Sequence, residues 1–440
     1  MDLSMRSFRM RLLIKAVVFV AIFILLEEGL AFLVFPRDSL SKTTINELHQ
    51  HNDLDLLFVG TSSTYHSNIP LLVDEVAGVK SFNVTTPAQS FMASYYLLKE
   101  ALKQNKISCV VLYVNAGRFV SNRIDDVRQF QAIENMGWSF DKLEFLIRGF
   151  TIDKYPDALL KSYRARENMR PGFIINNLTY TGVLDPKDYP AEIFSYLGKG
   201  YAYLGTAQKP GEVVKGTSTK YDAKKIRPEN MEYLNRIISL CKESNIDLIF
   251  LSRPKVAANV IGDGNYGEFH DYVQKLADEN SVPFWDLTYI RQDVLKMDDT
   301  MFADGQHTNY TLAMPLSRLL GKMLKEYEAG TLNVSDYLFD SYDEYLQINN
   351  RITGVYTGSV SQNRMLQAYA AIGAGIEPEF RFLLSSSRNG EYKVIQDWST
   401  KDKVDLNGQP RRKCWLMVEA RRAGSNGESE QRTRKEIDLR

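Results

Sequence analysis

The chain has 440 residues, of which 44% are hydrophobic and 25% are charged, as in ordinary globular proteins. Lys and Arg together number 54, as do Asp and Glu, and this zero net charge argues against nucleic acid as the main partner. The three cysteines, Cys109, Cys241 and Cys414, lie far apart and form neither a zinc-binding spacing nor a disulfide framework. The length exceeds that of one typical domain and predicts two folded units.

The N-terminal segment predicts a membrane anchor. Residues 12–35 read LLIKAVVFVAIFILLEEGLAFLVF, which is long enough to cross a bilayer as a helix. Arginines precede this run, so the positive-inside rule predicts a single-pass plasma-membrane protein with residues 1–11 cytoplasmic and the rest extracellular. A cleaved signal peptide is the alternative, but no small-x-small cleavage site follows the run. Glu27 and Glu28 are expensive in lipid, so they either face a partner helix or mark a shorter apolar core.

Residues 36–52 are polar and predict a short stalk, and residues 53–329 predict an α/β domain. Five strand-like runs are predicted at Leu54–Val59, Val79–Val84, Ile107–Val114, Ile246–Ser252 and Val282–Leu287. Helical patterns follow them at about residues 68–76, 88–104, 229–243, 268–279 and 312–327. This alternation predicts a doubly wound, five-stranded parallel sheet.

Two regions depart from the alternation. Residues 122–225 predict an insertion that covers one end of the sheet. Its aromatic residues form either a lid that stacks on sugar rings or the insertion's own core: Trp138, Tyr155, Tyr163, Tyr180, Tyr201 and Tyr203.

In residues 330–440, short strand-like runs separated by turn residues predict a small antiparallel β domain. Its charged final stretch is either a frayed end or an edge strand.

Ser62 is the candidate nucleophile, because the first strand runs directly into Gly60-Thr61-Ser62-Ser63. Ligands of open α/β sheets bind beyond the carboxyl ends of the strands, so this turn lies where a site is expected. A serine here is either a helix cap or a nucleophile.

His307 is the candidate base, in MFADGQHTNYTLA after the fifth strand, with Asp304 three residues before it. That spacing places a carboxylate beside one imidazole nitrogen and leaves the other to take a proton from a serine. A capping Asp beside a solvated His is the alternative. Of the other histidines, His49 and His51 fall in the predicted stalk. We expect His66 to point away from the site and His270 to lie at the surface.

Gly60-Thr61-Ser62 and Asp304-Gly305-Gln306-His307 resemble the serine block and the Asp-x-x-His block of the SGNH (GDSL-like) hydrolase superfamily. The anchor, GTSSTYHSNIP, FNVTTPAQSFMASYYLLKEAL and the insertion look most like its membrane-anchored extracellular branch, similar to DltD and to the alginate O-acetylation proteins AlgJ and AlgX. The resemblance covers about residues 54–324 and does not explain the C-terminal region. It implies an SGNH, flavodoxin-like fold.

The resemblance implies that Ser62 is the nucleophile, His307 the general base and Asp304 the residue that orients it. It also implies an oxyanion hole formed by the Ser62 N–H, a glycine after the second strand and an asparagine after the third. VTTPAQ has no glycine, so backbone at Thr85 or Thr86, or the Gln89 side chain, is the candidate substitute. Asn115, in LYVNAGR, is either the asparagine of the family or an ordinary turn residue.

The expected activity is two-step transfer of an acyl group, acetyl or another small acyl, through an acyl-enzyme on Ser62. The resemblance implies an O-acyltransferase or esterase that acts on a cell-surface polysaccharide or teichoic-acid-like polymer, with a membrane-bound O-acyltransferase as the partner that supplies the acyl group. A non-catalytic glycan-binding or assembly protein is the alternative from a different class. The sequence implies no cofactor and no metal, because no cluster of His, Asp and Glu has ligand spacing.

Overall fold

The computed structural model of the chain describes residues 3–36, 39–122, 124, 127–179, 195–205, 221–255, 260, 265–297, 301–348, 352, 354–371 and 376–440. The strands of these residues are β1 (Leu56–Gly60), β2 (Ser81–Thr85), β3 (Cys109–Tyr113), β4 (Ser195–Tyr196), β5 (Ala202–Tyr203), β6 (Asp247–Ser252), β7 (Phe284–Asp286), β8 (Gly354–Thr357), β9 (Met365–Ala371), β10 (Pro378–Ser385), β11 (Lys393–Ser399), β12 (Lys403–Asp405), β13 (Lys413–Arg422) and β14 (Gln431–Asp438).

The α-helices of the described residues are α1 (Leu3–Val34), α2 (Leu40–Leu48), α3 (Ser62–Ser67), α4 (Pro70–Ala77), α5 (Phe91–Leu102), α6 (Ala116–Val120), α7 (Val127–Ile133), α8 (Phe140–Gly149), α9 (Tyr155–Leu159), α10 (Lys161–Arg164), α11 (Pro171–Thr179), α12 (Pro228–Glu243), α13 (Tyr266–Asn280), α14 (Tyr310–Glu328) and α15 (Tyr342–Ile348).

The central sheet has five parallel strands in the order β2-β1-β3-β6-β7, as the alternating sequence pattern predicts. Successive residues of β1 enter different cores, since side chains of a strand alternate between its two faces. Leu57 and Val59 pack with α5, α12 and α13 on one face. Leu56 and Phe58 pack with α4 and α14 on the other. A strand buried on both faces explains why β1 is apolar throughout.

The segment predicted as a stalk contains a docked helix, which corrects that expectation. Ser39 caps α2 by accepting a hydrogen bond from the Lys42 N–H, and Ile45 and Leu48 of α2 are buried in the main core. His49 follows the helix, and its Nε2 lies 3.0 Å from Oε1 of Glu100 on α5. The helix is therefore part of the α/β domain.

Glu100 holds the docked end of α2 through its buried carboxylate. Burial disfavours ionisation of this group, but hydrogen bonds from His49, Lys103 and the Gly137 N–H outweigh it and lower its pKa to about 2. The carboxylate is thus ionised at neutral pH and ties α2, α5 and the start of the insertion together.

The N-terminal helix α1 includes a stretch, Met10–Val34, that is apolar and long enough to cross a bilayer, with a mean hydropathy of 2.5. Its C-terminal part packs on α10 and α11 of the insertion. The Ser162 N–H donates to Glu27 Oε1 at 3.0 Å, and the Ser162 hydroxyl also donates to this carboxylate. Nδ2 of Asn177 donates to the Leu33 and Phe35 carbonyls at 3.1 and 2.9 Å. Glu27 therefore has a partner within this chain, so of its two alternatives the separate partner helix is not required.

The aromatic residues of the insertion that the structure describes do not line the cleft beside Ser62. Tyr201 is buried against the start of α4 and against α14, whereas Trp138 is 78% exposed and Tyr163 is also exposed. Tyr180 lies outside the described residues.

The C-terminal region is built of antiparallel strands, as predicted. β11-β10-β13-β14 form one sheet and β12-β9-β8 another. Residues of both sheets share one apolar core, which includes Val355, Leu366, Phe382 and Val418. The charged final stretch forms β14 at the edge of its sheet, so of the two alternatives the edge strand is correct.

Candidate active site

The turn after β1 presents Ser62 at the carboxyl edge of the sheet. Thr61 caps α3, and its hydroxyl accepts from the Ser63 N–H at 3.4 Å, so Ser62 is the first residue of the helix. Gly60 is needed for this close turn, because a Cβ there would lie 2.0 Å from Oγ1 of Thr64 and 2.7 Å from Cβ of Tyr113. The glycine thus lets α3 fold back against the end of β1 and β3.

Ser62, His307 and Asp304 form a hydrogen-bonded chain. Nε2 of His307 lies 2.9 Å from Oγ of Ser62, and Nδ1 lies 2.8 Å from Oδ2 of Asp304. The other carboxylate oxygen, Oδ1, accepts the backbone N–H groups of Gln306 and His307 at 2.6 and 2.8 Å. The Asp-x-x-His turn therefore fixes both the carboxylate and the imidazole by local bonds, in the geometry of a serine nucleophile with its base.

The environment of the chain keeps Asp304 ionised. Partial burial opposes its charge, but the bonds from His307 and from the two backbone N–H groups outweigh burial and lower its pKa to about 2. Tyr65 lies one helical turn after Ser62 in α3, and burial raises the pKa of its phenol well above the usual range although interaction with Ser62 opposes that rise. The serine therefore has a neutral phenol and the imidazole of His307 as neighbours.

Thr86 and Gln89, two of the oxyanion candidates, are not among the described residues that line the cleft beside Ser62. Both are buried, and Oγ1 of Thr86 donates to Oε1 of Gln89 at 3.2 Å. Nε2 of Gln89 donates to the Val84 carbonyl and to Ser94 Oγ. The two side chains hold the turn after β2, so the Gln89 side chain does not serve as the predicted donor.

Ala88 is the residue in that turn that sequence reasoning missed. It lines the same cleft as Ser62 and has a φ of 50°, in the left-handed region that favours glycine. Pro87 precedes it and the Gln89 N–H bonds the Thr86 carbonyl at 3.3 Å, which is the pattern of a type II turn with Ala88 third. The dipeptide Pro-Ala in VTTPAQ was the available signal, but alanine is uncommon at such a position.

Asn115 reaches the cleft, as predicted, and it also caps α6. Its Oδ1 accepts the Arg118 N–H at 2.9 Å, which fixes the orientation of the amide. Nδ2 has no hydrogen-bond partner among the described residues. The turn alternative for Asn115 therefore holds for its side-chain carbonyl, and the amide NH₂ remains available to a ligand.

The cleft beside Ser62 has a volume of about 340 Å³ and is rich in positive charge. Arg118, Arg128, Arg253 and Lys255 line it, whereas no Asp or Glu is among its described lining residues. Arg118 is buried and donates to the Tyr113 and Ser90 carbonyls, so it braces the ends of β3 and α5. The concentration of cations contrasts with the zero net charge of the whole chain.

Two histidines lie elsewhere than predicted. His66 does not point away: its ring is buried and contacts His307 edge-on with a centroid distance of 5.3 Å. Its Nδ1 donates to the Ala202 carbonyl at 2.7 Å, and burial together with His307 lowers its pKa to about 3. His270 is not at the surface but buried, with Nδ1 2.9 Å from Oδ2 of Asp286. Helical spacing alone did not reveal that these faces are covered.

Comparisons with known proteins identify no family. No family model matches the chain, and no curated protein matches it. Among solved structures, an endo-β-1,4-mannanase from Thermotoga petrophila aligns with 11% identity and a TM-score of 0.18, over 92% of this chain and 94% of that chain. An engineered protein aligns with 9% identity and a TM-score of 0.15, over 93% of this chain and 98% of that chain. Neither TM-score indicates a shared fold, so neither contributes to the argument.

Proposed function

We propose that the chain is a serine-dependent O-acyltransferase or esterase of the SGNH type. The observation that carries this proposal is the distance of 2.9 Å between Nε2 of His307 and Oγ of Ser62, with Asp304 bonded to the other imidazole nitrogen. The resemblance of the Gly60-Thr61-Ser62 and Asp304-x-x-His307 blocks to that superfamily supports it. Acyl transfer requires this pairing of a nucleophile with an oriented base.

In the proposed reaction, Ser62 attacks an ester or thioester carbonyl while His307 takes its proton. The tetrahedral intermediate collapses, His307 returns the proton to the leaving group, and an acyl-serine remains. A sugar or polyol hydroxyl, or water, then gives its proton to His307 and attacks the acyl-serine. The second tetrahedral intermediate collapses, His307 returns the proton to Oγ of Ser62, and the new ester or the acid leaves. Asp304 keeps Nδ1 of His307 protonated, so that Nε2 is the basic nitrogen.

Three donors support an oxyanion hole near Ser62. The Ser62 N–H is in the first turn of α3, where backbone N–H groups have no partner within the helix. Asn115 offers its amide NH₂, and Ala88 places backbone in the left-handed turn where the resembling family has a glycine. A tetrahedral oxyanion needs such preorganised donors more than it needs any particular side chain.

The proposed location is the outer face of a plasma membrane, with α1 as an uncleaved anchor. Residues 10–26 of α1 are exposed along their whole length, about 26 Å at 1.5 Å per residue, close to the thickness of a hydrocarbon core. Glu27, the next residue, binds Ser162 of the insertion. This change supports a bilayer boundary near Leu26, which leaves both glutamates outside the lipid. The proposed acceptor is a cell-surface glycan or teichoic-acid-like polymer, with a membrane-bound O-acyltransferase supplying the acyl group.

A non-catalytic glycan-binding or assembly protein is the second candidate. It is favoured by one observation, the commitment of the Thr86 and Gln89 polar groups to their own turn. In that case Ser62 and His307 hydrogen-bond a ligand without reacting with it.

A fluorophosphonate probe on the full chain in detergent separates the two candidates. We expect the wild type to be labelled at Ser62, as located by mass spectrometry, and Ser62→Ala to be unlabelled. Ser63→Ala is the matched control that keeps the label, because the Ser63 hydroxyl points to the Gln306 carbonyl instead of the imidazole. An unlabelled wild type, or labelling that persists in Ser62→Ala, would overturn the enzyme proposal in favour of binding.

A further inference from the structure

Arg253 is a buried cation for which the described residues provide no anionic partner. It follows β6, is 6% exposed, and lines the cleft that contains Ser62. Its Nε donates to the Tyr113 hydroxyl at 3.0 Å. Within the part of the chain that the structure describes, its buried Nη1 has no hydrogen-bond partner and no carboxylate forms an ion pair with it.

Such an arrangement destabilises the free protein. A buried charge is normally paired, because removal of an ion from water costs several kcal/mol that a partner must offset. A guanidinium does not escape this cost by losing its proton. Because the guanidinium lines the cleft and lacks a carboxylate partner among the described residues, the arrangement indicates that a negative group completes the site when a ligand is bound.

The position of Arg253 indicates that the negative group it would bind is not the oxyanion formed at Ser62. β3 lies between β1 and β6 in the sheet, so Arg253 follows a strand about 10 Å across the sheet from the one that precedes Ser62. Asn115 follows β3, between the two. A ligand that places its carbonyl at Ser62 and Asn115 thus extends past Asn115 to reach Arg253.

We propose that Arg253 forms an anion subsite, and that the substrate carries a phosphodiester or carboxylate group beyond the reacting carbonyl. The planar guanidinium suits both groups, which accept two parallel hydrogen bonds from it. Lys255 and Arg128 line the same cleft and add positive potential. This inference rests on the proposed function only in placing the reacting carbonyl at Ser62, whereas anion binding itself requires no turnover.

The test is calorimetric titration of the full chain in detergent at constant ionic strength. Methyl glycerol phosphate and methyl glucuronide are the phosphodiester and carboxylate probes, and glycerol and methyl glucoside are their neutral counterparts. We expect the inactive Ser62→Ala variant to bind one of the anionic probes and neither of the neutral probes. Arg253→Met should weaken that binding at least tenfold, the usual worth of a hydrogen bond between charged groups. The exposed Arg318→Met is the matched control and should bind as Ser62→Ala does.

Two further measurements keep the outcome decisive. Removal of an unpaired buried charge should leave the melting temperature of Arg253→Met equal to or above that of the wild type. If that variant does not fold, Arg253→Lys keeps the charge but loses the two-pronged geometry, and should bind the anion at least about fivefold more weakly. Equal binding of charged and neutral probes, or anion binding unchanged in the Arg253 variants, would overturn the subsite. Anion binding by a protein that no fluorophosphonate labels would instead retain the subsite and refute only the nucleophile.

Discussion

The Asp304→Asn variant tests the proposed base, His307, because it should move the proton of the neutral imidazole from Nδ1 to Nε2. Oδ1 of Asp304 accepts two backbone N–H groups, whereas Oδ2 faces Nδ1 of His307. An asparagine keeps its oxygen toward the two N–H donors, since the reverse orientation would leave both unmatched at about 1–3 kcal/mol each. Its NH₂ group then faces Nδ1, so that Nδ1 must accept and Nε2 must carry the proton. The imidazole is left in the tautomer that cannot deprotonate Ser62.

The expected loss exceeds that of one hydrogen bond. Loss of a bond to a charged group costs about 1.5–3 kcal/mol, or roughly 10- to 150-fold in rate. Tautomer reversal removes the general base as well, and the same substitution in a serine protease triad lowers kcat by about 10⁴. We therefore expect kcat to fall by about 10³–10⁴. The Asn side chain preserves the turn, so stability should change little.

The assay is hydrolysis of p-nitrophenyl acetate by the full chain in detergent, with circular dichroism and a melting curve for each variant. Ser62→Ala gives the background rate, and Asp304→Asn should approach it while melting close to the wild type. Since the pKa of Asp304 is about 2, its carboxylate is ionised at every pH above about 4, so titration of Asp304 should not contribute to the pH dependence of the wild-type rate there. A variant within threefold of the wild type would refute the assigned role of Asp304.

Three further substitutions test the fold around the site. Gly60→Ala should destabilise the protein by about 1–3 kcal/mol in chemical denaturation, because its Cβ would meet Thr64 Oγ1 at 2.0 Å; unchanged stability would contradict the close turn. Glu100→Gln should make the melting temperature fall less steeply as the pH is lowered. The pKa of Glu100 in the wild type is about 2, so the contribution of its carboxylate to stability is complete above about pH 4.5 and is lost as pH falls toward 2. Equal slopes of melting temperature against pH would contradict that linkage. Glu27→Ala should increase proteolysis within the insertion, since it removes both bonds to Ser162; an unchanged digestion pattern would argue that this contact does not hold the insertion.

The central sheet could be predicted because strands buried on both faces have a strong sequence pattern. LDLLFV, ISCVVLYV and IDLIFLS are continuous apolar runs, and they became β1, β3 and β6 within two residues at either end. The docking of α2 could not be predicted in this way, because only two of its large side chains, Ile45 and Leu48, enter the core. Nine residues with so few apolar positions resemble a solvated segment until the surface that receives them is known.

The candidate site also contains some residues that the sequence indicates directly and others that it does not. Ser62, Asp304 and His307 could be proposed from sequence because their chemistry is in their side chains and two of them are neighbours in the chain. Two of the three proposed oxyanion donors are backbone groups, so residue identity indicates them only indirectly. Ala88 illustrates this, since its φ of 50° gives its position the geometry expected of glycine without the residue. Gln89 was proposed for its polar side chain, and that side chain bonds Thr86 and holds the turn that places Ala88.

The charge of the cleft follows from the fold and not from composition. The chain as a whole is neutral, yet Arg118 and Arg253 follow different strands, 135 positions apart by residue number, and meet in one cleft. Arg118 donates to two carbonyls of the protein, whereas Nη1 of Arg253 is buried without a hydrogen-bond partner among the described residues. Natural proteins retain such unfavourable groups where function requires them, because a buried unpaired charge is readily improved by mutation. If Arg253→Met melts at a higher temperature than the wild type and also loses anion binding, the same guanidinium destabilises the free protein and binds the charged ligand.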